Sequence, residues 1–168
     1  MLDAAAALQA QGSDVVFELI GDGGPLFEQL RERAAGMGLT NVEFHGYMPE
    51  KQLVARINAA DLCLGVFGSG AKAQRVIPNK VYQCLSVGKP VLTGDTAAMR
   101  RVFTADLDLA MCPVADGDAL ADAITRLRED APLRQRIAEA GHARFRDQFS
   151  TDAIAEWIER ELQAALTP

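Results

Sequence analysis

The segment "FGSGAKAQRVIPNK", residues 67–80, holds Lys72, Arg75 and Lys80 and no acidic residue. Three cations so closely spaced, beside Gly68 and Gly70, suit the doubly charged oxygens of a diphosphate. A solvated surface loop explains Lys72 equally well. The stretch that follows, "KVYQCLSVG", has a helical pattern. Pro78 fixes the direction of entry, and Asn79 is placed to cap the helix. The first amides of a helix lack partners and its dipole favours negative charge, so Asn79 and Lys80 mark a corner offered to phosphate oxygens. Val81, Cys84 and Leu85 fall on the face expected to be buried. Gln83 falls on another face and can both donate and accept, as sugar hydroxyls require.

Weaker candidates follow other apolar runs. In "GDGGP" (21–25), Gly21 and Gly23 let the backbone approach a ligand closely. A tight turn accounts for them equally well, and the dinucleotide fingerprint is incomplete, which disfavours an NAD-dependent oxidoreductase. In "HGYMPEKQL", His45 could act as an acid or base, although a hydrogen-bonded strand-end histidine is the plainer reading. Tyr47 and Met48 could wall a flat ring or simply pack in the loop. Thr93 and Asp95 in "TGD" can reach a ligand at a further strand end.

These residues need a scaffold that brings strand ends together. Five apolar runs, at 14–21, 41–46, 61–68, 90–94 and 107–114, read as strands, with helical patterns between them. Alternation of this kind with near-continuous apolar strands predicts an α/β fold, a parallel sheet covered by helices on both faces. Ligands in such sheets bind beyond the carboxyl ends of the strands. The chain opens on a helix, "LDAAAALQAQG", where a strand would normally come first. We therefore expect the chain to be the C-terminal portion of something longer, and its sheet to lack a central strand. From 116 onward the pattern becomes three amphipathic helices with cap-like starts at Asp116, Ala131–Pro132 and Ser150. Ile154, Trp157, Ile158 and Leu162 form a stripe on the last one. That stripe fits docking on the domain's own core, or contact with another domain or subunit.

Bulk properties narrow the class. The 168 residues fit one domain with a real core, and 49% are hydrophobic with no run of membrane-spanning length. A net charge of −6 argues against a general nucleic-acid partner. The three cysteines, Cys63, Cys84 and Cys112, have no Cys-x-x-Cys spacing, so reduced buried thiols are expected rather than disulfides or a zinc site. The apolar start is short, lacks a basic leader and carries Asp3, unlike a secretory signal. The expected location is the cytoplasm, at the inner membrane face if a further domain carries it there.

Taken in order, "FELIGDGG", "NVEFHGYMPEKQLVARINAADLCLGVF" and "VIPNKVYQCLSVGKPVLTGD" resemble the C-terminal, donor-binding domain of retaining GT-B glycosyltransferases, the glycosyl transferases group 1 family. The likeness extends from about residue 10 to 165 and includes the closing helices. It implies a Rossmann-like fold and a nucleotide-diphosphate sugar as substrate, with no cofactor and no obligatory metal. It also implies a glycan or lipid-linked acceptor held by a missing N-terminal domain. The implied donor-binding residues are Gly21 and Gly23 lining the cleft, and Tyr47 and Met48 at the base. Asn79 and Lys80 would meet the diphosphate and Gln83 the ribose or sugar hydroxyls, with Arg75 and Val81 also among the donor-binding residues. No catalytic residue is assigned. Arg75 and Gln83 stand where family members often carry two glutamates, so the sugar contact differs or activity is altered. The alternative is a non-catalytic nucleotide-binding or interaction module. A sugar-nucleotide epimerase would need cleft carboxylates that the sequence does not supply. Unpaired sheet edges left by a missing strand, or the Trp157 stripe, would favour a homodimer.

Overall fold

The computed structural model describes residues 1–166. All five expected strands are present, parallel and short: β1 (Phe17–Ile20), β2 (Val42–His45), β3 (Cys63–Leu64), β4 (Val91–Gly94) and β5 (Ala110–Cys112). Around them lie α1 (Leu2–Ala10), α2 (Pro25–Gly36), α3 (Glu50–Ala59), α4 (Asn79–Ser86), α5 (Ala97–Val102), α6 (Gly117–Glu129), α7 (Ala131–Gln148) and α8 (Thr151–Leu166). The chain is a Rossmann-like α/β domain, as its alternating pattern predicts. The strands form two sheets rather than one, in the orders β1-β2 and β3-β4-β5.

The core explains how two sheets make one body. Leu8, Ala4 and Ala5 of α1 join Phe17 of β1, Leu92 of β4, Ala110 of β5 and Leu120, Ile124 and Leu127 of α6 in one buried cluster. Helices α1 and α6 approach closely because their facing residues are small. A Cβ on Gly117 would lie 2.7 Å from the Asp3 Cβ. The second cluster gathers Cys63, Val91, Met99, Phe103 and Leu109 around Val81, Cys84 and Leu85 of α4. Strand β4 feeds both clusters, Leu92 into one and Val91 into the other, because successive side chains point to opposite faces. All four of its residues are buried, which is why its sequence is apolar without alternation.

Several details differ from the sequence reading. The apolar runs 14–21, 61–68 and 107–114 form strands only over 17–20, 63–64 and 110–112. Helix α5 was not anticipated. It is only six residues long, and the Thr96 hydroxyl caps it by accepting from the Met99 N–H at 3.2 Å. Helix α7 is capped one residue earlier than expected, by Asp130, whose carboxylate accepts from Leu133 N–H at 2.8 Å. The stripe on α8 does not dock on the core: no residue of that helix is buried, and Trp157 is 54% exposed. Among the described residues, no helix is long and apolar enough to cross a membrane.

Candidate functional site

Helix α4 sorts its residues by side. Val81, Cys84 and Leu85 are buried, while Asn79, Lys80 and Gln83 face outward. Pro78, with ψ of 140°, is the N-cap, and Asn79 is already the first helical residue. The expected Asn79 cap is therefore corrected: proline leads directly into the first turn, and no side chain caps this end. The Val81 N–H donates to the Pro78 carbonyl at 2.9 Å, which leaves the amides of Asn79 and Lys80 ahead of the first backbone bond. No acidic side chain stands in the first turn. Val81 itself is fully buried with its amide engaged, so it supports α4 from the core and presents no group to a ligand. Desolvation by surrounding protein lowers the Lys80 pKa, and the Cys84 thiol four residues on acts in the opposite direction.

The loops after β3, β4 and β5 are tied together tightly. A Cβ on Gly65 would lie 2.2 Å from the Thr93 Oγ1, and one on Gly94 would lie 2.6 Å from the Val66 carbonyl. These two glycines let adjacent strand ends close on each other. Gly94 N–H donates to Val66 O at 3.0 Å, and Ala115 N–H to Phe67 O at 2.7 Å. Ala115 takes a φ of 56°, an uncommon left-handed conformation for alanine, immediately before the cap of α6. Thr93 is 1% exposed, and its hydroxyl accepts from the Val66 N–H at 3.3 Å. It is a structural clamp and cannot reach a ligand. Asp95 is likewise occupied, because both its carboxylate oxygens accept from the Arg100 guanidinium, which holds its pKa below the usual aspartate value. Arg75 folds back onto its own loop, its Nε donating to the Ala71 carbonyl at 3.0 Å.

The remaining candidates sit on the loops that follow β1 and β2. Gly21 donates its N–H to His45 O at 3.1 Å, and a Cβ there would lie 2.7 Å from the Phe27 ring. Gly23 has a φ of +77°, which a glycine accommodates at little cost. Asp22 accepts from Gly24 N–H at 3.1 Å, and beside this turn lies a recess of about 250 Å³ lined by Asp22, Gly24, Pro25, Leu26, Phe27 and Leu30. Tyr47 is 79% exposed, its ring free to stack, and Met48 is half-buried. A larger recess of about 510 Å³ lies among Asp122, Arg126, Glu129 and Asp130 at the α6–α7 junction, and none of the sequence-derived candidates lines it.

One group could present metal ligands: Glu18, Glu43 and His45 bring their ligand atoms within 4.8 Å of one another. Glu18 and Glu43 are register partners across β1 and β2, and Arg56 reaches Glu18 at 3.4 Å. The His45 Nε2 is buried without a hydrogen-bond partner, 3.4 Å from a Glu43 oxygen. Two facing carboxylates repel, and the Arg56 guanidinium beside Glu18 offsets that repulsion.

The structure thus brings Asn79, Lys80 and Gln83 together on one exposed side of α4. Arg75 lies on the preceding loop, while Gly21, Gly23, Tyr47 and Met48 belong to loops of the other sheet. Sequence reasoning missed the Gly65–Thr93 and Gly94–Val66 contacts. Their only signal was a glycine inside one predicted strand, Gly65 in 61–68, and one at the end of another, Gly94 in 90–94.

A parallel α/β domain with an uncapped, acid-free helix start beyond its strand ends is the architecture of phosphate-binding domains. The glycosyl transferase-like family profile matches residues 1–160, and the chain belongs to that family. A phosphatidyl-myo-inositol mannosyltransferase of Mycobacterium leprae is 28% identical over 99% of this chain. The alignment covers 42% of that protein, so the chain spans about two fifths of the curated relative. Among solved structures, the C-terminal domain of a glycosyl transferase group 1 family protein (LpcC) from Francisella tularensis superposes with a TM-score of 0.69. It is 18% identical, covering 89% of this chain and 77% of that one. Anabaena Alr3699/HepE in complex with UDP and glucose gives a TM-score of 0.77 at 20% identity, covering 96% of this chain and 44% of that one. The fold is therefore that of a GT-B C-terminal domain.

Proposed function

We propose that residues 1–168 form the donor-binding domain of a glycosyltransferase that moves a sugar from a nucleotide-diphosphate sugar to a glycan or lipid-linked acceptor. The acceptor side belongs to a separate N-terminal domain. The observation that carries this reading is the start of α4: an exposed Lys80, amides of Asn79 and Lys80 that precede the first backbone bond, and no acidic residue in the first turn. As the glycosidic bond to the donor breaks, negative charge accumulates on the leaving diphosphate. Amides and an ammonium already aimed at that position stabilise the developing charge without reorganising. Partial desolvation strengthens the effect, because an anion restores to Lys80 the stabilisation it lost on folding. Gln83, one turn along the same face, is assigned to ribose or sugar hydroxyls, and Tyr47 with Met48 to the base. The reading requires no resident cofactor.

The names of the relatives support the class, since one is a mannosyltransferase and another was solved with UDP and glucose. Calorimetric titration of UDP, GDP and their sugar conjugates tests the proposal. A donor domain binds at least one conjugate more tightly than its free diphosphate. Equal binding of diphosphate and conjugate would favour the non-catalytic nucleotide-binding module instead. The isolated 168-residue chain is expected to transfer sugar weakly or not at all, and robust turnover would refute the division of labour. We assign self-association to the exposed α8 stripe or the sheet edges.

A further inference from the structure

One group of metal-ligating side chains lies apart from the start of α4. Glu18 and Glu43 are register partners on β1 and β2, and His45 follows Glu43 by two residues on the same strand. Successive side chains of a strand alternate between faces, so all three project from one face of the pair. The opposite face, with Phe17, Leu19 and Val42, packs on the core. The His45 Nε2 lies 3.4 Å from a Glu43 oxygen and 3.9 Å from a Glu18 oxygen, and one ligand atom of each residue falls within 4.8 Å of the others. Neighbouring ligands of a tetrahedral zinc ion stand about 3.3 Å apart, given metal–ligand bonds of about 2.0–2.2 Å. The remaining closure falls on two glutamate side chains, which are long and exposed to solvent.

Two further observations favour a cation at this position. The His45 Nε2 is buried without a hydrogen-bond partner, although the ring as a whole is partly exposed. In the tautomer protonated at Nδ1, that nitrogen offers a lone pair beside both carboxylates. Charge balance points the same way. Arg56 answers Glu18 at 3.4 Å, and among the described residues no lysine or arginine pairs with Glu43.

We propose that Glu18, Glu43 and His45 form a binding site for one divalent transition-metal ion of the zinc type, with water completing its coordination. An imidazole beside two carboxylates suits such an ion, whereas magnesium and calcium prefer all-oxygen sites. The exposed carboxylates give the ion a path from solvent. Arg56 moves aside, since it belongs to an exposed pair that costs little to break. The role is structural: the ion joins β1 to β2 where Gly21 N–H donates to His45 O at 3.1 Å, and so steadies the loops that carry Gly23 and Tyr47.

The inference does not rest on the donor-site reading, and its test uses no nucleotide. The 168-residue chain, stripped with a chelator and dialysed, is titrated calorimetrically with zinc chloride and separately with magnesium chloride. One zinc ion per chain is expected, with no measurable magnesium binding. The chain has two histidines, and the other, His142, has its Nδ1 2.9 Å from the Leu85 carbonyl. Zinc should therefore move the ring resonances of His45 and leave those of His142, a readout that needs no variant at the site. His45→Ala and Glu43→Gln should each weaken zinc binding at least about tenfold, while Arg56→Ala should bind at least as tightly as wild type. The absence of saturable zinc binding, equal affinity for magnesium, resonance changes confined to His142, or undiminished affinity in His45→Ala would each overturn the proposal. Saturating zinc should also raise the Tm of the wild type, and an unchanged Tm would refute the structural role.

Discussion

Lys80 is accessible yet partly desolvated, so its charge is both available to a ligand and costly to leave unpaired. That combination separates it from Lys72, an exposed loop cation with no comparable constraint. Lys80→Met should weaken binding of a nucleoside diphosphate about 10- to 100-fold, the loss expected for a charge-assisted hydrogen bond, whereas Lys72→Met should change it little. Calorimetry with the two variants side by side checks this. Asp95 shows the opposite case, a charge already satisfied. Its folded pKa lies below the ordinary aspartate value of 3.8 because Arg100 pairs with it, so the pair contributes stability above that value. The contribution is lost as pH falls through the lower folded value. Asp95→Asn should therefore be less stable than wild type at neutral pH. The gap should close as the pH of thermal melts drops below 3.8. Sequence alone could place Asp95 and Thr93 at a strand end, but not show that Arg100 and Val66 had claimed them. The Thr93 partner is 27 residues away, and the Asp95–Arg100 pair depends on the short helix α5, which the sequence reading did not anticipate.

At the level of elements, the approach of α7 depends on one glycine. A Cβ on Gly141 would lie 2.3 Å from the Asp108 carbonyl and 2.7 Å from Leu85 Cδ2, so helix and backbone would have to separate. Gly141→Ala should destabilise by about 1–3 kcal/mol, lowering Tm by roughly 2–12 °C in a domain of this size. Gly36→Ala, where nothing lies within 4 Å, should be neutral or slightly stabilising in the same melting experiment. Long helices were legible because their period repeats within each segment, and the strands because they are short apolar runs between those helices. β4 stood out as a short apolar run, and α6 as an amphipathic pattern opened by Asp116, whose carboxylate does accept from Ala119 N–H at 2.9 Å. Helix α5 was illegible because six residues are too few to establish a period. Asn79 was misread as a cap because the sequence gives the cap's chemistry without the dihedral angle that decides which residue takes it.

At the level of the whole molecule, the bare stripe on α8 exposes apolar surface that a compact domain usually covers. The helical pattern of that stripe was plain in the sequence, but its destination was not, because amphipathicity reports that a face wants a partner and not which one. Exposed Ile154, Trp157, Ile158 and Leu162 predict concentration-dependent sedimentation, reduced by Trp157→Glu. A wild-type protein sedimenting as a monomer at every concentration would remove self-association from the account. The α/β class followed from the alternation of apolar runs. The candidate site stood out as a cluster of cations before a helix, and only the fold showed that Asn79, Lys80 and Gln83 share an exposed side of α4 while Val81 is buried. The central claim, that the start of α4 receives a diphosphate, is tested most directly by comparing UDP and GDP with uridine and guanosine on the wild-type chain and on Lys80→Ala. The account predicts that a diphosphate binds the wild type at least about tenfold more tightly than its nucleoside, and that most of this advantage disappears in the variant. Equal affinity for nucleoside and diphosphate, or an advantage that survives loss of the ammonium, would contradict it.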